Sequence, residues 1–206
     1  LVENDDPTVT LALNILSHVL VGTPAAPLRK ALIDSGLGED VIGGGLDDSL
    51  RQLAFSVGLK GVDPANVDRV AALIHETLNK LTEEGLERDQ IEASINTIEF
   101  QLREQNTGSY PRGLFVMLQA LTTWLHDGDP FAAIAFESAL NEIKAQWAQD
   151  PTFFESLIRT HLMENTHQVT LVLSPDLELQ DRQDAAERTR LAAVKAEMSE
   201  EIFLFV

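Results

Sequence analysis

The sequence contains no cysteine, and this absence removes several kinds of site at once. Disulfides, thiolate zinc sites and cysteine nucleophiles all need that side chain, and its absence fits a reducing compartment. No apolar run reaches the roughly 18 residues that a membrane-spanning helix needs. The first residues also lack the basic-then-apolar pattern of a signal peptide. We therefore expect a cytoplasmic protein with no membrane partner.

Basic side chains are also scarce, with 15 Lys and Arg against 33 Asp and Glu and a formal net charge of -18. A nucleic-acid-binding surface needs clustered Lys and Arg to neutralise phosphates, so we expect no nucleic-acid partner. The 206 residues are 44% hydrophobic, which is enough to bury a sizeable core.

Helical periodicity alternates with turn signals along most of the chain. Asp-Pro pairs at 6–7, 63–64, 129–130 and 150–151 each precede such a stretch, and Asp followed by Pro is typical of a helix start. The periodicity and the glycine stops predict helices at 7–21, 27–35, 64–85, 88–105, 114–125, 130–147 and 151–165.

Strand signals are fewer than helix signals. Leu53, Phe55, Val57 and Leu59 alternate with less apolar residues and predict a half-buried strand. A short strand at 41–45 and a second alternating strand, "HQVTLVLSP" at 167–175, complete the sheet. The prediction is an α+β fold, an αβ sandwich in which several long helices cover a small, mostly antiparallel sheet. We expect a single αβ domain at 1–177 and a charged helix or linker at 178–206, which ends in the apolar "IFLFV".

The sequence offers no convincing catalytic or metal site. The nearest approach to a zinc motif is "HLMENTH", with His161, Glu164 and His167. The two histidines stand six residues apart, across a predicted helix end, so they do not share a helix face. G-x-S-x-G elbows, phosphate-binding loops and G-x-G-x-x-G are also absent. We assign no catalytic and no metal-binding residue to this chain.

The most site-like stretch is "SYPRG" at 109–113. An aromatic ring and a guanidinium beside a turn can hold a peptide backbone or a carboxylate, so Tyr110 and Arg112 are the candidate substrate contacts. The alternative is structural, with Tyr110 covering the core and Arg112 pairing within the acidic surface.

Several stretches in order resemble the pitrilysin/insulinase superfamily of zinc metallopeptidases. They are a helix, "PLRKALIDSGL", a glycine-rich turn, an alternating strand, and two helices separated by "EEG". "LVGTPAAPLRKALIDSGLG", "NTIEFQLREQNTGSYPRG" and "DGDPF" look more narrowly like the presequence-protease branch. The resemblance extends to about residue 195.

The resemblance implies a parent enzyme of four αβ domains that enclose a chamber for unfolded peptides. In that branch the first domain carries H-x-x-E-H, and this chain is similar to the second, non-catalytic domain. It implies zinc in the parent and none here, no activity for this segment alone, and two kinds of partner: other parent domains and unfolded peptides.

Two other hypotheses stay open. The chain could be an independent peptide- or protein-binding module without enzymatic activity, using the Tyr110–Arg112 turn or an exposed helix face. It could instead be a metalloenzyme of its own, through His161, Glu164 and His167. An H-x-x-E-H motif upstream would favour the parent enzyme, and metal binding lost on replacing either histidine would favour the last hypothesis.

Overall fold

The predicted α+β architecture is confirmed by a computed structural model, which describes residues 3–105 and 107–198. The chain divides into two compact units, Leu1–Thr170 and Leu171–Val206. Among the described residues, the first unit holds seven α-helices and a two-stranded sheet, and the second holds one α-helix. The apolar 202–206 lies outside the described residues, and the domain boundary at 177 stays a prediction.

Most predicted helices are present with ends close to the expected ones. A 3₁₀ turn, Pro64–Asn66, leads into the third helix, and a π-helical segment, Ile158–Met163, continues the seventh. The helices are α1 (Pro7–Val21), α2 (Pro27–Asp34), α3 (Val67–Glu84), α4 (Arg88–Glu104), α5 (Arg112–Trp124), α6 (Glu137–Gln149), α7 (Phe153–Leu157) and α8 (Leu179–Glu197).

Helix α1 lies at the centre of the first unit. The Asp6 side chain accepts hydrogen bonds from the backbone N–H groups of Thr8 and Val9, at 2.8 and 3.2 Å, and Pro7 occupies the first turn. This cap satisfies two of the N–H groups that a helix start leaves without partners. Helix α1 packs against α2, α4, α6, α7 and β1, so the hydrophobic core is built around it. Its buried residues are Ala12, Leu13, Ile15, Leu16, Ser17, Val19 and Leu20.

The sheet consists of β1 (Asp40–Asp47) and β2 (Ala54–Lys60), which pair antiparallel. A bulge between Ile42 and Gly45 shifts the register. The bulge brings the end of β1 close to α1, where Gly45 has φ +75° and a Cβ on it would lie 2.2 Å from Ser17 Oγ. The same hydroxyl accepts a hydrogen bond from the Leu46 N–H at 2.9 Å. Glycine is needed here both for its backbone conformation and for this close approach.

The strand predicted at 167–175 is absent from the described structure, so that expectation is wrong. Residues 167–176 belong to no helix or strand, and the side chains of Val169, Leu171 and Leu173 are exposed. A strand is stable only when its backbone groups pair with a neighbour, and among the described residues the sheet contains β1 and β2 alone.

The helix predicted from residue 130 begins later, at Glu137. The Asp129 side chain accepts a hydrogen bond from the Phe131 N–H at 2.9 Å, and the Thr123 hydroxyl donates to the Asp129 backbone oxygen at 2.9 Å. These bonds hold a turn in place of the first helical turn, because an Asp side chain can satisfy a nearby backbone donor without a helix.

The second unit contributes the charged helix that the sequence predicts. Helix α8 buries none of its residues, and Arg182 near its start forms an ion pair with Asp176. Among the described residues, no helix combines the length and the apolar character that crossing a bilayer requires.

Candidate functional site

The two predicted substrate contacts lie where an exposed turn leads into α5, Tyr110 in the turn and Arg112 as the first residue of the helix. The Thr107 hydroxyl donates to the Tyr110 backbone oxygen at 2.6 Å, and the Tyr110 N–H donates to the Thr107 backbone oxygen at 3.0 Å. Tyr110 keeps 48% of its surface exposed. The Arg112 Nε donates to Gln105 Oε1 at 3.1 Å, which ties the start of α5 to the end of α4. The turn presents both side chains near the surface, and their contact with a substrate stays a prediction.

The residues of "HLMENTH" do not form a metal site. His161 lies in the π-helical segment, where burial lowers its pKa below the ordinary value. His167 lies in the exposed stretch that follows this segment, and its backbone N–H donates a hydrogen bond to Asn165 Oδ1 at 2.9 Å. Among the described residues, no three His, Asp or Glu side chains come close enough to share a metal ion. The residues present therefore do not fit a zinc ion, and we derive no chemistry through one in this chain.

An apolar groove of about 760 Å³ lies between α1, α5 and the turn that follows α5. Its volume falls within the range of about 300–1,000 Å³ that is usual for ligand sites. One wall comes from the first half of α1, and the other comes from one face of α5 and from the turn. The large apolar side chains that line it are Leu11, Leu102, Phe115, Leu118, Leu121, Leu125 and Phe136.

The charged groups around this groove are mostly acidic. Among the described residues, Arg51 is the one Lys or Arg that lines the groove. Its guanidinium lies 3.7 Å from a carboxylate oxygen of Glu3, so its positive charge already has an acidic neighbour at the edge of the groove. The groove therefore combines an apolar floor with a negative rim. The residues with full charges that line it are Glu3, Asp5, Asp48, Asp129 and Arg51, and His126 lies among them.

Charged residues behind the groove brace one of its walls. The Arg103 guanidinium lies over the Phe136 ring, 5.5 Å from its centroid. Glu99 holds that arginine at 2.7 Å and also forms an ion pair with Lys144 on α6. Hydrogen bonds from Lys144 and then from Arg103 lower the pKa of the Glu99 carboxyl below its ordinary value. The cluster links α4 to α6 beside a residue that lines the groove.

Helix α5 carries more apolar surface than the groove uses. Leu114, Met117 and Trp124 are exposed and do not line the groove. Among the described elements, α5 makes no extensive contact with another helix or strand. A helix that is apolar on all sides is typical of a buried position. The apolar periodicity of this segment predicts only a helix, although "RGLFVMLQALTTW" also shows an excess of apolar side chains.

Comparison of the sequence with known proteins finds a family model and several relatives that match this chain. Residues 3–98 match the family model described as the peptidase M16 inactive domain. The chain is 46% identical to presequence protease 1, chloroplastic/mitochondrial, of Arabidopsis thaliana, over 95% of this chain and 18% of the relative. It is 37% identical to protein HypA of Clostridium perfringens, over 92% of this chain and 19% of the relative. It is 32% identical to the mitochondrial presequence protease of Mus musculus, over 90% of this chain and 18% of the relative.

The chain thus spans about a fifth of the length of the relatives it matches. The expectation of a cytoplasmic location is wrong, because the Arabidopsis and mouse relatives are named as chloroplastic or mitochondrial proteins. That expectation rested on the lack of a targeting segment. In a sequence that spans a fifth of its relatives, this lack carries no information about location.

Proposed function

This chain belongs to the presequence-protease branch of the M16 (pitrilysin/insulinase) peptidases, as a non-catalytic domain, and from that membership we propose its role in a longer enzyme. It forms part of the wall of a chamber in which a zinc-dependent oligopeptidase degrades unfolded peptides. The observation that carries the proposal is that nearly the whole chain aligns with proteins named presequence proteases, over about a fifth of the length of each.

The proposed division of labour follows from the side chains of this chain. Zinc would be held outside it, because the described residues offer no metal-ligating cluster. The partners would be the other domains of the parent and the unfolded peptides. The apolar faces of α5 support a wall role, since a helix of this composition needs a covering surface that the described residues do not supply.

The first experiment measures zinc content and peptide hydrolysis of this chain alone and of a longer polypeptide that carries an H-x-x-E-H motif. Both samples are stripped of metal and reloaded with zinc before the assay. We expect no tightly bound zinc and no hydrolysis from the chain alone, and zinc-dependent hydrolysis from the longer polypeptide. One zinc per chain, lost on replacing His161 or His167 with alanine, would overturn the proposal.

The second experiment tests Tyr110 and Arg112 as substrate contacts in the longer enzyme. Tyr110→Ala and Arg112→Ala should raise KM for an unfolded peptide with little change in kcat, because binding contacts away from the zinc contribute equally to ground and transition states. The matched control is Arg69→Ala, since Arg69 is also exposed but hydrogen-bonds only to the local Asn66 side chain at 3.0 Å. A KM unchanged in both test variants would remove these residues from the substrate path.

An independent peptide-binding module is the second candidate, and the groove is the observation that favours it. The two functions separate in the first experiment. If every longer polypeptide that contains this chain lacks peptidase activity while the chain alone binds peptides, the module is correct and the chamber wall is not.

A further inference from the structure

We infer that the groove between α1 and α5 is a binding site for an extended peptide segment that carries large apolar side chains next to Lys or Arg. The inference rests on the proposed function for its biological role, but the binding itself is a property of this chain. It places the site away from Tyr110 and Arg112, neither of which lines the groove.

The floor of the groove is apolar and partly exposed to water. Phe115, Leu118 and Leu125 each keep more than a third of their surface exposed, although all three face the same concave surface. Apolar side chains gathered in a concavity gain most from a ligand that removes them from water. The ligand should therefore present large apolar side chains.

The rim of the groove carries more negative than positive charge. Four carboxylates, those of Glu3, Asp5, Asp48 and Asp129, line the groove against the single guanidinium of Arg51. Arg51 already has Glu3 as a partner, so a ligand meets a net negative potential at this edge. Complementary charge favours Lys or Arg beside the apolar residues and disfavours an acidic peptide.

One side chain that lines the groove, Gln119, has a hydrogen-bond acceptor without a donor among the described residues. The Gln119 Nε2 donates to the Ala133 backbone oxygen at 2.8 Å, across the groove wall. Its Oε1 is buried and has no hydrogen-bond partner among the described residues, and Gln119 lines the groove. A backbone N–H of an extended peptide is the kind of donor that this acceptor lacks, and reaching it requires the amide to turn away from its bond to Ala133.

The test uses this chain and a fluorescein-labelled short peptide of alternating leucine and arginine, with binding measured by fluorescence anisotropy. Leu118→Gln should weaken binding about tenfold, which corresponds to about 1.4 kcal/mol. Met117→Gln is the matched control, because Met117 is the preceding residue of α5 and is similarly exposed, 49% against 44%, but does not line the groove. It should bind as the unchanged chain does. Circular dichroism verifies that both variants fold.

A second pair of variants tests the rim. Asp5→Asn should weaken binding and reduce its dependence on salt, whereas Glu76→Gln, an exposed carboxylate on α3 away from the groove, should change neither. A peptide with glutamate in place of arginine should bind more weakly than the basic peptide.

Three results would overturn the inference. Equal losses for Leu118→Gln and Met117→Gln would show that the contact is not in the groove. Equal binding of the basic and acidic peptides would remove the role of the rim. A dimer that sedimentation detects, and that Leu118→Gln disrupts, would assign the groove to a second copy of the chain. None of these results depends on hydrolysis by a longer polypeptide. The proposed peptide site in the groove can therefore be wrong while the proposed chamber-wall function is right, and the reverse.

Discussion

Replacing Glu155 with alanine should destabilise the chain by about 2 kcal/mol, because this side chain holds the turn between α3 and α4 in place. Glu155 lies on α7 and is only 8% exposed. Its Oε1 accepts a hydrogen bond from the Leu86 backbone N–H at 2.7 Å. Leu86 follows Gly85, which ends α3 with φ +87°, and α4 begins two residues later. The bond therefore connects a helical hairpin to a separate helix of the core.

The magnitude follows from the groups that lose their partner. A hydrogen bond to a charged group is worth about 1.5–3 kcal/mol, and its removal leaves the half-buried Leu86 N–H without an acceptor. The other oxygen of Glu155 is buried and has no hydrogen-bond partner among the described residues. Glu155→Gln keeps an oxygen at the bonded position and loses no second bond. This variant should cost less than about 1 kcal/mol.

The assay is denaturant unfolding of the unchanged chain, Glu155→Ala, Glu155→Gln and Ser156→Ala. Ser156 is the next residue of α7 and is exposed, so its replacement should change the free energy of unfolding by less than about 0.5 kcal/mol. If Glu155→Ala is as stable as Ser156→Ala, the bond to Leu86 does not hold the hairpin. If Glu155→Gln lowers the free energy of unfolding as much as Glu155→Ala does, the acceptor oxygen is not the cause of the destabilisation.

Three further predictions test other parts of the fold. Lowering the pH below 6.5 should reduce the free energy of unfolding, because burial lowers the pKa of His18 and of His161 below that ordinary value. The unfolded state then binds protons first, and denaturant unfolding of His18→Gln should depend less on pH over this range. Gly113→Ala should raise the melting temperature through a gain of about 0.5 kcal/mol, since Gly113 lies in α5 and an added Cβ meets nothing within 4 Å. Phe154→Ala should cost about 3–5 kcal/mol of unfolding free energy, because the ring is fully buried, whereas Phe100→Ala at an exposed position should cost little.

The sequence predicted well the elements whose causes are local. Asp6 and Pro7 carry the start signal of α1 within their own side chains, and the structure shows the expected cap. The alternation from Leu53 to Leu59 likewise predicted β2, because its neighbour β1 is close in sequence and pairs with it through a short connection. In both cases the deciding contacts lie within a few residues or in the next element.

The predictions failed where contacts outside a segment's own residue pattern decide the structure. At 167–175, Val169, Leu171 and Leu173 recur at every second position as in β2, but a strand also needs a neighbour, which its own sequence cannot supply. At residue 130 the Asp-Pro pair resembles the one before α1. Here the Thr123 hydroxyl bonds to the Asp129 backbone oxygen, and a turn replaces the first helical turn.

The candidate site was predictable only in part. Tyr110 and Arg112 were chosen by residue type beside a turn, and the structure places Tyr110 in an exposed turn and Arg112 at the start of α5, while their contact with a substrate stays a prediction. The groove could not be predicted, because it brings Leu11 of α1 together with Leu118 of α5 and Asp129 of the following turn. Residues more than 100 positions apart share a surface only through the tertiary fold. The one sequence signal was the apolar excess of α5.

That excess and the unpaired alternation at 167–175 are the same kind of mismatch between sequence and structure. In each segment the pattern calls for burial, but the described residues leave Trp124 at 63% exposure and Val169 at 91%. Elsewhere the pattern is satisfied, as in α1, whose apolar stripe is buried along its length. A sequence that is locally consistent with its fold in most elements is expected to break that consistency where a partner is required. We therefore expect both segments to lie against other parts of the proposed longer enzyme, and hydrogen exchange should show stronger protection of α5 and of 167–175 in the longer polypeptide than in this chain alone. Equal protection in the two would mean that the mismatch has a cause within the chain.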